Sequence, residues 1–353
     1  MLKSEIINKP EEILKYLHIG INLPIISEFN KYILNSFRIF NPKAIIIKQG
    51  KEENSSDIIL NDVVGICLIF KQKNILFFGF FGVIKDEIKI IQLLIDNLLE
   101  YGRINDCKYI RGPLNIPAII FGYGFSEELN PKDIEQEIDK LFIACPISPP
   151  FYLKCFLEKG FSEKYKEDFY YMPVIKLNPL KLKYDYSEYE VLFPGKHEIR
   201  QYINDALRLH IENMPEESLI TPNSPEYSKI VVDFIFEFGE QWMIWFVRHK
   251  PTNHIVGTAH IVPNVFGEKD NKGRYISASF QHVVVDEKHQ RKGLVLFLYG
   301  MGSLKARDKK SGNNLKYGLG IVASNNQASI AWIKKVGGVL FRRNVIVEYK
   351  YSD

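Results

Sequence analysis

Hydrophobic and polar positions follow two periods along the second half of the chain. Residues 196–214 carry an apolar side chain at every third or fourth position, which is the spacing of an amphipathic helix. Residues 274–286 instead form a long run rich in β-branched residues, which predicts a strand. The predicted order begins with a strand (188–195), two helices (196–214 and 228–239) and two paired strands (241–249 and 254–263). It continues with the long strand (274–286), a helix (294–309), a strand (316–324), a helix (325–336) and a closing strand (341–351).

The first half repeats the later part of this order. The pattern predicts two strands (62–70 and 75–84), a helix (87–103), a strand (107–115), a short helix (149–161) and a closing strand (166–177). The second helix of each half also ends alike, at Lys159-Gly160 and at Lys335-Val336-Gly337. The repeated order predicts a duplication, with one domain over residues 1–178 and a second over residues 186–353.

The halves differ in the connection after the long strand. In the first half this connection contains no glycine and no basic run, whereas the second half reads "DEKHQRKG" from Asp286 to Gly293. The first half also inserts about 35 residues after Arg111, and loops of that length are often functional. Arg111 at a strand end could bind an anion or could be a surface residue of a turn.

The loop before Gly293 has the features of an anion site. The first turn of a helix leaves backbone N–H groups unpaired, and its dipole is positive at that end. Gly293 lets a ligand approach the backbone closely, because it has no Cβ atom. Gln290, Arg291 and Lys292 add donors and charge. The alternative is a solvated basic turn, since the Walker and dinucleotide-binding glycine patterns are both missing.

The surrounding order of elements resembles the GNAT superfamily of acyl-CoA-dependent N-acetyltransferases. In that family a strand ends in Gln/Arg-x-x-Gly-x-Gly/Ala, and Gln290 to Val295 matches this pattern except at the sixth position. The later "NQAS" at residues 326–329 and "KVGG" at residues 335–338 resemble the family's next conserved segment. The resemblance covers about residues 188–351 and, more weakly, residues 60–175. It implies a mixed α/β fold of two GNAT-like domains in tandem, the first a degenerate copy without the phosphate loop.

The resemblance also implies a site and a reaction. The loop backbone would hold the diphosphate of acetyl-CoA or another acyl-CoA, the end of the long strand would pair with the pantetheine arm, and the next helix would touch the cofactor. The cofactor-binding residues implied are Val283, Val285, Gln290, Arg291, Lys292, Gly293, Leu294, Val295, Asn326 and Ser329. The reaction implied is direct transfer of an acyl group, acetyl being the expected one, from the thioester to an amine, without a metal.

Three positions depart from the family pattern. Val295 replaces a small residue, and Ile333 stands where many members carry the tyrosine that protonates the leaving thiolate. The long strand offers no carboxylate before Asp286, so His282 is the candidate base. The alternative is that His282 is an ordinary strand residue.

The acidic pair Glu216-Glu217 lies between the first two helices of the second half, on the acceptor side of GNAT folds. It could attract a cationic amine, or it could belong to a solvated loop. The expected acceptor is therefore a small-molecule or protein amine.

Composition limits the number of domains, the class of partner and the cellular compartment that we expect. The chain has 353 residues, which favours two domains, and 46 basic against 42 acidic residues, a balance that argues against nucleic acid as a partner. The most apolar run, residues 75–84, is too short to span a bilayer, and no secretory signal is visible. The four cysteines form no C-x-x-C pair, which is typical of free thiols in a reducing cytoplasm.

Three functions remain open from the sequence. The first is an acyl-CoA-dependent N-acetyltransferase whose second domain is active. The second is an aminoacyl or peptidyl transferase, a chemistry that tandem GNAT folds also serve. The third is a non-catalytic CoA-binding or interaction protein, which Ile333 and the missing carboxylate favour.

Overall fold

The computed structural model describes residues 2–50, 63–84, 87–127, 141–173, 184–213, 224–306 and 315–352, with the backbone alone for His282 and Ala306. By its contacts the chain divides into two units that are not contiguous in sequence. Unit 1 contains Met1–Asn130, Ala144–Glu167 and Arg343–Asp353, and unit 2 contains Pro131–Ile143 and Asp168–Arg342. No helix in the described ranges is long and apolar enough to cross a membrane.

Unit 1 is a mixed sheet with helices. Its elements are β1 (Leu2–Ile7), α1 (Pro10–Tyr16), α2 (Asn30–Phe40), β2 (Lys43–Gln49), β3 (Val63–Gln72), β4 (Ile75–Val83), α3 (Ile88–Ile104), β5 (Tyr109–Gly112), α4 (Ala118–Phe121), β6 (Phe125–Ser126), α5 (Pro150–Glu158) and the start of β7 (Ser162–Pro173). Strands β1 to β4 pair as antiparallel neighbours, and β4 pairs with β5 in parallel.

The core of unit 1 forms between this sheet and the helices α3 and α5. Helix α3 buries one apolar stripe, from Ile90 to Leu98, and α5 adds Phe156, whose ring stacks on Phe78 with centroids 5.0 Å apart. The very apolar β4 is therefore a buried central strand, as the sequence predicts, because both of its faces are covered.

Unit 2 repeats this construction. Its elements are β8 (Tyr189–Leu192), α6 (Ile203–Asn213), α7 (Pro225–Phe238), β9 (Ile244–His249), β10 (His254–Pro263), β11 (Ser277–Val285), α8 (Leu294–Ala306), β12 (Tyr317–Ala323) and α9 (Gln327–Lys335). The strand order is β8-β9-β10-β11-β12, antiparallel except for the parallel pair β11 and β12. The mixed α/β fold predicted from the sequence is confirmed.

The last strand of the chain joins unit 1. Strand β13 (Val339–Lys350) pairs antiparallel with β5, placing Val347 opposite Gly112 and Glu348 opposite Arg111. From Arg343 onward this strand therefore belongs to unit 1, although it follows the helices of unit 2 in sequence.

Candidate functional site

Strand β11 carries a bulge in its middle. Its register with β10 pairs Gln281 with His260 and then Val284 with Thr258, so two residues of β11 oppose the single residue Ala259. The two residues of the bulge are His282 and Val283. A bulge leaves part of the ladder unpaired and turns the local backbone, and bulges often lie next to active sites.

The two parallel strands of unit 2 separate just before this bulge. Their register runs from Ser277 beside Tyr317 to Phe280 beside Gly320 and ends there, while both strands continue. Beyond Phe280 the facing edges of β11 and β12 therefore have no pairing between them in the described residues, and we call the space between these edges the cleft. An extended ligand could add to such an edge by main-chain hydrogen bonds.

The loop after β11 turns sharply into helix α8. Asp286 caps a short 3-10 turn, its carboxylate accepting from the N–H of Lys288 at 3.0 Å. Arg291 and Gly293 then adopt left-handed φ angles of 62° and 74°. Consecutive residues near such a conformation can point their N–H groups into one concavity, and the first turn of α8 adds its own unpaired N–H groups.

Three aromatic residues ahead of β8 and at its start hold this loop. The Tyr184 ring lies so close to Gly293 that a Cβ atom added there would be 2.5 Å from it. The Tyr186 hydroxyl donates to the Gly293 carbonyl at 3.0 Å, and its ring stacks on Phe297. The Tyr189 hydroxyl bonds His289 Nδ1 at 3.0 Å. The loop is thus fixed by contacts within unit 2.

The side chains of the loop divide by direction. Arg291 and Lys292 are exposed, and so is Val295, of which 38% is accessible. Leu294 is buried, and the Gln290 amide donates to the Val285 carbonyl at 3.1 Å, which ties the loop back to the strand. Two exposed basic side chains therefore lie directly before the first turn of α8.

Helices α8 and α9 meet through a stacked aromatic pair. The rings of Tyr299 and Trp332 lie with centroids 4.0 Å apart, and Tyr299 also contacts Phe280, where the parallel strands separate. Burial raises the pKa of Tyr299 above its ordinary value, so its hydroxyl stays protonated. Ile333 is 4% exposed and packs in a small core with Met172.

Unit 1 has the same bulge but a filled cleft. Strand β4 opposes Phe80 and Phe81 to the single Cys67 of β3, and its register with β5 ends at Phe77 beside Arg111. The chain that follows β5 enters the space between the strands, where the Leu114 N–H donates to the Phe78 carbonyl at 2.6 Å.

The inserted chain also closes the bulge itself. The carboxamide of Asn115 accepts from the bulge N–H of Phe80 and donates to the Phe121 carbonyl. A Cβ atom at Gly79 would lie 2.0 Å from the Leu114 carbonyl oxygen, so the segment is packed directly on the strand. Within its described residues, unit 1 therefore has no open counterpart of the cleft in unit 2.

Solved structures share this arrangement over the whole chain. A tandem GNAT protein from the clavulanic acid biosynthesis pathway, solved without acetyl-CoA, aligns with 99% of this chain and 100% of its own at a TM-score of 0.60 and 12% identity. The chain has the tandem GNAT fold. A GCN5-related N-acetyltransferase from Sphaerobacter thermophilus (TM-score 0.51, 9% identity) covers 98% of this chain and 95% of its own, and a probable N-acyltransferase from Enterococcus faecalis (0.54, 9%) covers 99% and 73%. No family model and no curated protein matches the sequence.

The GNAT fold brings most of the predicted cofactor residues to one end of unit 2. Val283 lies in the bulge, Val285 is buried and paired with Gly257, and the loop of residues 290–295 follows them directly. Their contact with an acyl-CoA stays a prediction. Asn326 caps α9 by accepting from the Ser329 N–H at 3.1 Å, so each of these residues also has a structural role at the start of that helix.

The side chains of the predicted catalytic and substrate residues lie outside the described atoms. The backbone of His282 lies in the bulge, but its side chain is outside the described atoms. Glu216 and Glu217 also lie outside the described residues. Among the described residues no group of three or more potential metal ligands comes together.

The structure adds information on two further residues, Arg111 and His260. Arg111 forms an ion pair with Glu348, its Nε donating to Oε2 at 2.7 Å, and this decides the open alternative against an anion site. Nothing in the local sequence pattern distinguishes His260 from an ordinary strand residue. Its position opposite Gln281 became visible only through the pairing of β10 with β11.

Proposed function

We propose that this protein transfers an acyl group from an acyl-CoA to an amine, at one site in unit 2. The observation that carries the proposal is the meeting of three features within a few residues. These are the separation of β11 from β12 after Phe280, the bulge at residues 282–283, and the left-handed loop that opens α8. Each is suited to a different part of an acyl-CoA.

The loop suits the diphosphate. Gly293 and Arg291 hold the backbone in the conformation that gathers N–H groups, and α8 is a helix of 13 residues whose dipole favours an anion at its start. Arg291 and Lys292 add positive charge at the surface. The open edge of β11 beyond Phe280 suits the amide groups of the pantetheine arm.

The bulge suits the reacting thioester. During acyl transfer the carbonyl oxygen gains negative charge, and a fixed backbone N–H aimed at it lowers the barrier. The amine nitrogen attacks the carbonyl carbon, the carbon–sulfur bond breaks, and the thiolate takes up a proton. The phenol of Tyr299 lies beside Phe280, at the start of the cleft, and could supply this proton. Ile333 has no proton to donate.

Titration with acetyl-CoA tests binding first. Ligand at about a hundred times its dissociation constant should add about 2.7 kcal/mol to the free energy of unfolding. We expect the midpoint of thermal unfolding to rise by several degrees, at about 2–4 °C per kcal/mol. An unchanged midpoint at millimolar acetyl-CoA would refute the proposal.

The variant Val295→Asp tests the location. A carboxylate in the first turn is favourable to the helix dipole, so it should leave the unliganded protein stable while repelling a diphosphate. The matched control Leu304→Asp changes an exposed aliphatic residue near the other end of α8 and should leave binding intact. Gly293 is a poorer choice, because any side chain there would collide with Tyr184.

A non-catalytic acyl-CoA-binding protein is the second candidate. The observation that favours it is the burial of Ile333 in the core at the position where the family resemblance implies an acid. Thiol release from acetyl-CoA over a panel of amines separates the two candidates. Binding without thiol release from any amine would support the binding protein.

A further inference from the structure

Three rings from three parts of unit 2 meet at the start of the loop that opens α8. His289 ends the short 3-10 turn directly before Gln290, Tyr189 begins β8, and His249 ends β9. The centroids of the two imidazoles lie 4.7 Å apart, and the Tyr189 ring lies 5.8 Å from that of His289 and 5.4 Å from that of His249. The ring of His289 therefore connects the loop to both β8 and β9.

Each histidine of this cluster has a polar partner. The Tyr189 hydroxyl and His289 Nδ1 are 3.0 Å apart. His249 Nδ1 lies 2.8 Å from the Thr252 hydroxyl, and its Nε2 lies 3.7 Å from a carboxylate oxygen of Glu188. A phenol can donate to the lone pair of a neutral imidazole or accept from the N–H of a charged one. The contact between Tyr189 and His289 is therefore compatible with both charge states of the ring.

The groups around His289 act on its charge in opposite directions. Burial lowers the pKa of His289 below its ordinary value of 6.5, and the neighbouring His249 and Lys292 act in the same direction. The carboxylates of Asp286 and Glu188 raise the pKa but are outweighed. In the unliganded protein His289 is therefore mostly neutral at pH 7, and its charge responds to that of the loop.

A diphosphate held by the loop would change this balance. The proposed site places its negative charge at the N–H groups around Gly293 and beside Lys292, three residues after His289. An anion there attracts a proton to the imidazole and offsets the charge of Lys292, so both effects raise the pKa of His289. The contribution of Asp286 should not change, because its carboxylate is held 3.8 Å from Arg208 of α6.

We propose that His289 positions the loop through Tyr189 and His249 and takes up a proton from solvent when the diphosphate of an acyl-CoA binds. This inference rests on the proposed function and deepens it, because it names a positioning residue of the same site and makes the affinity depend on pH. The pKa of His289 is higher in the complex, so the affinity rises as the pH falls through that value and levels off below the pKa of the free protein. The gain is up to about tenfold for each unit by which the pKa rises.

Isothermal titration with acetyl-CoA in two buffers of different ionisation enthalpy counts the protons taken up on binding. At about pH 6.5 the wild type should take up more protons than His289→Asn, because asparagine does not titrate. Its association constant should also rise more steeply between about pH 7.5 and pH 6. The asparagine amide can keep the bond to the Tyr189 hydroxyl. The phosphates of acetyl-CoA titrate in both experiments, so the difference between the two proteins belongs to His289.

His18→Asn changes an exposed histidine of unit 1 and is the matched control, which should keep the wild-type proton uptake. His289→Gln replaces the first variant if His289→Asn does not fold. A variant that binds more weakly at every pH but takes up as many protons as the wild type would overturn the inference and leave the proposed function intact. Absence of acetyl-CoA binding in the wild type would instead refute the proposed function, and this inference with it.

Discussion

The side-chain oxygen of Asn115 accepts a hydrogen bond of 2.6 Å from the backbone N–H of Phe80, in the middle of the bulge of unit 1. The equivalent bulge in unit 2 lies at residues 282–283, beside an open cleft. One residue of the insertion thus satisfies a backbone N–H of the unit 1 bulge inside the chain. Under the proposed function, the bulge of unit 2 would instead direct such a group to a ligand. The two copies differ in what occupies the space between their parallel strands.

Replacing Asn115 by alanine tests this difference. The Phe80 N–H would lose its buried acceptor, which should lower the free energy of unfolding by about 1–3 kcal/mol in urea denaturation. Affinity for acetyl-CoA should not change, because the site lies in unit 2. Asn97→Ala on α3 is the control and should not destabilise, since alanine is the better helix former. A gain of a second acetyl-CoA site would also be informative, whereas a loss of the existing site would contradict the assignment.

Breaking the Arg111–Glu348 pair should be costly. Both side chains are largely buried, at 17% and 12% exposure, and the pair links β5 to β13. Among the described residues, Arg111→Ala would leave Glu348 one longer ion-pair contact, with Lys164, and we expect a loss of about 3 kcal/mol in the free energy of unfolding, measured in urea. Arg103→Ala breaks an exposed pair with Glu100 and should cost less than about 1 kcal/mol. Similar losses for the two variants would contradict the structural role of Arg111.

The sequence predicts the loop and its flanking elements well, because their signals are local. The β-branched run, the basic turn and Gly293 lie within about 20 residues, and the structure places β11, the left-handed loop and α8 there in that order. Helical and strand periods fix each element from its own residues. The separation of β11 from β12 has no such local signal, because it depends on where the pairing of two strands distant in sequence ends.

Other features depend on contacts between distant segments. The pairing of Val347 with Gly112 joins positions more than 200 residues apart, and no local pattern specifies the partner of an edge. The contact of Asn115 with Phe80 follows from the path of the insertion, and the position of His260 opposite Gln281 follows from the pairing of β10 with β11. Arg111 could be read as an anion site because its partner, Glu348, lies at the other end of the chain.

Buried His260 and partly buried His210 should make the protein acid-sensitive. The folded pKa of His260 is about 3, below the ordinary value of about 6.5, so the unfolded chain binds more protons between these values. Its contribution to stability is complete above about pH 7 and is lost as the pH falls, by up to about 1.4 kcal/mol per pH unit. His210 acts in the same direction.

Chemical denaturation at pH 7.5 and pH 5 measures this effect. The wild type should lose stability between the two values, and His260→Leu should lose less, because leucine has no proton to gain. An equal loss in both proteins would show that His260 is not buried in its neutral form.

The phenol of Tyr186 should support the loop. Tyr186→Phe removes the hydrogen bond to the Gly293 carbonyl, a loss of about 0.5–1.5 kcal/mol, but keeps the ring stacked on Phe297. If the loop holds the diphosphate, the dissociation constant for acetyl-CoA should rise by up to about tenfold. An unchanged dissociation constant with reduced stability would mean that this bond stabilises unit 2 without shaping the site.

Isothermal titration of the full chain with acetyl-CoA tests the central claim most directly. We predict one binding site per chain, abolished by Val295→Asp and retained in Leu304→Asp and in Asn115→Ala. Absence of binding, or binding that survives Val295→Asp, would contradict the claim that unit 2 holds acyl-CoA at the loop that ends in Gly293.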